Sequence, residues 1–245
     1  MLYQKKFQLE MFLITRDKTM LRLNIYRIHL PIPLDSFITK LVKSQSVSNA
    51  EYGIRNKDYD IDEYSGIFFQ RIIVNARNFN GNGEEQHINY EYFQDFDFEV
   101  ITRSNNIYLI VYDAPKSLKK FLNVISDIAG VGFYFFDDSL NLEDISYNSM
   151  GFVDFKVIKA KISNISILNK SVASMEIQSA NNAVKDFDQY SNDQNRKITK
   201  IKIRFYINGT LNTLEISNKG NFAISTDSLS RDDLNLILEN FYVIS

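Results

Sequence analysis

Between Arg196 and Gly209 the chain reads RKITKIKIRFYING, and from Lys200 to Ile207 its alternation is strict. Ile201, Ile203, Phe205 and Ile207 occupy one parity; Arg196, Lys200, Lys202, Arg204 and Tyr206 occupy the other. A period of two puts successive side chains on opposite faces of a strand, so one face of this segment can be buried and the other left to solvent. Asn208-Gly209 follows at once, and that dipeptide is the strongest short-range signal for a two-residue hairpin turn. The segment therefore predicts an antiparallel sheet with one wet face.

The same grammar recurs. Hairpin followed by helix is legible at residues 7–43, 87–128 and 201–242, and more weakly at 152–190. Lys5 to Thr15 and Met20 to Leu30 read as paired strands, with Phe7, Leu9, Met11 and Leu13 on one face of the first. Helices follow with apolar stripes at Phe37, Ile38, Leu41 and Val42, at Leu118, Phe121, Leu122 and Ile125, and at Leu234, Ile237, Leu238 and Phe241. Pro31, Pro33 and Pro115 all stand at strand-to-helix junctions; Asp35, Pro115 and Ser230 are the expected helix starts. The expected fold class is α+β, a mainly antiparallel sheet built from β-hairpin-plus-helix units. It divides into an N-terminal half, 1–145, and a C-terminal half, 150–245. Spacing and identity are too irregular for a solenoid repeat, so the recurrence has two readings: reuse of a simple α+β unit, or duplication of one half.

Composition restricts the chemistry. There are no cysteines, which removes disulfides, thiolate metal sites and a cysteine nucleophile. The only histidines are His29 and His87, and no G-x-S-x-G elbow accompanies them. Gly81-x-Gly83 and Gly130-x-Gly132 extend to neither a dinucleotide fingerprint nor a P-loop. Asp58, Asp60, Asp62 and Glu63 cluster in DYDIDEY, but a calcium loop begun at Asp58 would have Glu63 and Phe69 where glycine and glutamate are needed, so a solvated acidic loop is expected. No catalytic residue, metal or cofactor is assigned, and the balance leans away from an enzyme. The early apolar run Met11–Ile14 is too short for a signal sequence, and none approaches the ~18 residues of a membrane helix. A cytoplasmic protein without a membrane is expected.

The net charge of −2 conceals an uneven distribution. Residues 1–43 carry 8 basic and 3 acidic groups, 51–100 carry 4 and 11, and 151–200 carry 8 and 5. Three readings compete. A binding or assembly protein would act through charge-patterned strands, with Glu91, Asp95, Asp97 and Glu99 as an acidic stripe facing a protein partner or a second copy. A nucleic-acid-binding accessory protein would use Arg196, Lys200, Lys202 and Arg204, joined by Lys156, Lys159 and Lys161. A Mg²⁺-dependent nuclease would use Asp154-Phe155-Lys156, an acid-x-Lys on a strand, with Asp137 or Asp138 as the upstream acid.

Overall fold

The computed structural model describes residues 20–45, 50–79, 81–103, 105–136, 139–148, 151–167, 171–191, 195–225 and 230–242. The expected strand Lys5 to Thr15 lies outside them. Over the described residues the chain is mostly antiparallel strand with five short helices, an α+β fold. It divides into two compact units, one of Tyr26–Phe136, the other of residues 1–25 and 137–245. Strand β1 (Leu21–His29) is shared between them at Ile25. No helix among the described residues is long and apolar enough to cross a membrane.

In the 26–136 unit, β1 is followed by α1 (Leu34–Lys43), then β2 (Tyr52–Tyr59), β3 (Glu63–Phe79), β4 (Glu85–Arg103), β5 (Asn106–Tyr112), α2 (Lys119–Ala129) and the two-residue β6 (Tyr134–Phe135). The strand order is β2-β3-β4-β5-β1, with β6 on β1. DYDIDEY is not simply a loop: Asp58 and Tyr59 end β2, and only residues 60–62 turn. Two helix starts also differ from expectation. Pro33, not Asp35, holds the cap position of α1, and α2 begins at Lys119 rather than at Pro115. Both prolines lie between a strand and the helix after it, and each keeps the residue before it out of the helix, since its ring disfavours helical backbone there.

The core of this unit is aromatic. Phe121 of α2 is buried, with ring centroids 5.2, 5.2 and 4.9 Å from Phe68, Phe96 and Phe98. Those three are inward residues of β3 and β4, and Leu109 and Val111 of β5 complete the floor. The stripe Leu118-Phe121-Ile125-Ala129 thus seats α2 on the sheet.

The second unit contains α3 (Leu142–Tyr147), β7 (Val153–Ile167), β8 (Ser171–Gln178), α4 (Ala183–Tyr190), β9 (Lys197–Ile207), β10 (Thr210–Ser217), β11 (Asn221–Ser225) and α5 (Arg231–Tyr242). Its strands run β8-β7-β9-β10-β11-β1. Asn208 and Gly209 have φ of 50° and 78°, as a tight primed turn requires, and they fix Thr210 opposite Ile207. Helix α4 is capped by Asn182, whose side chain accepts from the Val184 and Lys185 amides. Helix α5 is capped by Ser230, with Asp233 returning the hydrogen bond to the Ser230 amide at 3.1 Å. Phe152, Phe205 and Phe241 stack together, which fixes the face of β9 that carries Ile201, Ile203 and Phe205 as the covered one.

Phe121→Ala should lower unfolding stability by about 3–5 kcal/mol, because three rings would face the cavity. Denaturant titration followed by circular dichroism measures this; a loss below ~1 kcal/mol would contradict the packing described.

Candidate nucleic-acid interface

The uncovered face of β9 carries Lys200, Lys202 and Arg204. Its neighbour β7 brings three further cations to the same face in direct register: Lys161 opposite Lys200, Lys159 opposite Lys202, and Lys156 opposite Arg204. In a regular strand Lys156 and Lys159, three residues apart, would point to opposite faces. The register shifts between Val157 and Lys159, so one extra residue restores the parity. Val157 and Ala160 accordingly stay in the core. Six of the seven predicted basic residues are thereby gathered into a lattice of two columns and three rows.

Like charges directly opposite one another destabilise a sheet. Three carboxylates offset part of the cost. Glu215 of β10 lies opposite Lys202 and pairs with Lys200 at 3.2 Å and Lys202 at 3.5 Å. Burial would raise the Glu215 pKa, but these lysines outweigh it and hold it below its ordinary value. Glu176 pairs with Lys159 at 2.6 Å, and Asp154 with Lys156 at 2.9 Å. Lys161 and Arg204 form no ion pair with a described residue. Beyond Arg204 the face continues into Tyr206, opposite Val153 and Leu211, all three exposed.

Arg196, the seventh, does not join the lattice. Its Nε donates to Asp188 at 2.7 Å and its guanidinium to Glu143 at 2.9 Å, and its side chain is only 10% exposed. Tyr147 donates its hydroxyl to Asp188 as well, so Arg196 ties α3 and α4 to the start of β9. Burial pushes the Asp188 carboxyl up, yet hydrogen bonds from Arg196 and Tyr147 prevail and hold it below its ordinary value.

The acidic residues of β4 are mostly engaged. Glu91 pairs with Arg71, Asp97 with Lys57 at 2.5 Å, and Glu99 accepts from the Tyr112 hydroxyl at 2.9 Å; Asp95 is exposed. Asp154 has φ of 50° where β7 begins, and its carboxylate faces Lys156. Asp137 and Asp138 lie outside the described residues. Among the described residues no group of three or more His, Asp or Glu side chains is arranged to hold a metal ion.

Sequence reasoning missed the counter-ions and the bulge. Glu215 had a signal: a two-residue turn at 208–209 fixes its register against Lys202. The bulge and the Glu143–Arg196–Asp188 network had none. No known protein-family model matches the chain, and comparison with curated proteins finds no match either.

Depressed carboxylates stabilise the fold above their unfolded pKa and lose that contribution as pH falls through the folded value. Stability should therefore decline as pH drops below about 4, and Asp188→Asn should flatten that decline. Urea unfolding at pH 6 and pH 3 tests it; equal slopes for both proteins would contradict the network's role.

Proposed function

We propose that this chain is a binding protein, not a catalyst, whose β7–β9 face takes the phosphate backbone of a nucleic acid without reading its sequence. The observation that carries this reading is the lattice of six cations against three carboxylates on one uncovered sheet face. Along a strand, same-face residues repeat about every 6.6 Å and neighbouring strands lie about 4.8 Å apart. The first spacing is close to that of successive phosphates along a nucleic-acid strand. A row of cations so spaced positions a backbone, and contacts of this kind carry no base information. The exposed Tyr206 beside Arg204 offers a ring against which an unpaired base can stack.

Arg196 takes no part in this reading, since its donors are spent on Asp188 and Glu143. Lys161 and Arg204, free of ion pairs with described residues, are the strongest contacts. The Asp154–Lys156 pair contributes a cation with a local counter-ion and is given no catalytic role.

Fluorescence anisotropy with a labelled 20-nucleotide single strand and its duplex tests the proposal. Binding should appear at 50 mM salt and weaken steeply by 200 mM, with each phosphate contact adding about 0.7–0.9 to the slope of log K against log salt. Lys161→Glu combined with Arg204→Glu should weaken binding at least about tenfold and lower that slope by about 1–2, with the circular dichroism melt unchanged. Absence of binding at 50 mM salt, or binding indifferent to the double reversal, would refute it.

A further inference from the structure

Strands β3 and β4 pair continuously from Glu63 opposite Ile101 to Phe79 opposite Glu85, but their neighbours stop short. Strand β2 reaches β3 only as far as Gln70, with one more bond from the Arg71 amide to the Glu51 carbonyl. Strand β5 covers β4 only from Phe98 onward. Residues 72–79 and 85–92 thus form a two-stranded arm with no further strand on either edge among the described residues, and the β4 edge stays uncovered by a described strand as far as Asp97.

One face of the arm continues the core. Beyond the buried pair Phe68–Phe96, the Gln70 and Gln94 amides bond to each other at 3.1 Å and close the interior. The same face then carries Ile72 opposite Tyr92, Val74 opposite Tyr90, and Ala76 opposite Ile88. Ile88, Tyr90 and Tyr92 are 43%, 53% and 44% exposed. An isolated two-stranded ribbon is marginal in water, and an apolar ribbon with open edges is a template for another strand.

Charge decides what that strand is. The arginines on and beside the arm have carboxylate partners, Arg71 in Glu91 and Arg77 in Glu85 at 3.5 Å, so no surplus arginine attracts phosphate. Its turn carries Glu84 ahead of Glu85, which makes tip-first entry into a bilayer costly. A second β4 fits instead. Antiparallel pairing that keeps the apolar faces together must oppose residues of like parity. Of the symmetric registers centred on residues 88 to 91, those on Ile88, Tyr90 and Glu91 each set one carboxylate opposite another: Glu85 opposite Glu91, Glu85 opposite Asp95, and Glu91 opposite itself. The register centred on Asn89 sets none. It opposes His87 to Glu91, Glu85 to Phe93, and Ile88 to Tyr90, so Tyr90 of each copy meets Ile88 of the other.

We propose that two copies of this chain associate through the β4 edge of the arm, antiparallel about a two-fold axis at Asn89. The interface is isologous, as closed dimers require. It shares no residue with the β7–β9 face and stands or falls independently of the nucleic-acid reading.

Because the chain has no cysteine, a single introduced one can form a disulfide only between copies. Asn89→Cys should give a disulfide-linked dimer under mild air oxidation, since directly opposed antiparallel residues fall within disulfide reach. Asn75→Cys, on the other strand of the arm, should not. Sedimentation velocity of the unmodified chain should show a concentration-dependent dimer, and Tyr90→Glu should raise its dissociation constant at least tenfold without changing the circular dichroism melt. A monomer at all concentrations overturns the proposal and leaves the arm to a different protein or to another segment of this chain. Equal crosslinking of Asn75→Cys and Asn89→Cys overturns it too.

Discussion

Everything functional here follows from one-sided burial of antiparallel ladders. Helices supply apolar cover to one face: Phe121 to the rings of β3 and β4, and Phe241 to Phe205 on β9. The pleat then sends every second side chain the other way. On β9 those residues are Lys200, Lys202 and Arg204, and they remain in water because nothing apolar recommends covering them. The surface chemistry of the second unit is thus a by-product of the register that fills its core.

The two units treat charge differently. In the 26–136 unit, three of the four residues in the acidic stripe of β4, Glu91, Asp97 and Glu99, meet a cation or a hydroxyl close by. On β7 and β9, cations outnumber carboxylates two to one and oppose one another directly. A sheet tolerates such an arrangement at some cost in stability. An arriving polyanion would relieve it, which is the physical ground on which these residues are proposed as a binding face.

Most of the fold was legible because local rules were strong. The Asn208-Gly209 turn and the Ser230 cap reflect interactions within a few residues, and the Phe121 stripe follows from the 3.6-residue period of its own helix. Misreadings occurred where a distant partner outvoted local composition. The acidic run DYDIDEY at 58–64 looks like a loop, yet Asp58 and Tyr59 pair with Ser65 and Tyr64 of β3, and burial of the Tyr64 ring favours that pairing. The run AGVGFYFF, apolar enough for a longer strand, yields only Tyr134–Phe135, because Gly130 and Gly132 turn the chain with φ of 97° and 98° just before it.

The sequence by itself determined that β9 has a basic face and an apolar one, because alternation at period two admits no other assignment. It also determined, through the two-residue turn, that Glu215 stands opposite Lys202. Only the tertiary structure decided that β7 lies beside β9, that a bulge at Ile158 brings Lys156 and Lys159 onto one face, and that Arg196 is consumed by Asp188 and Glu143. Those depend on contacts between segments dozens of residues apart, and a strand pattern records which face of a chain is apolar without recording which neighbour it will meet.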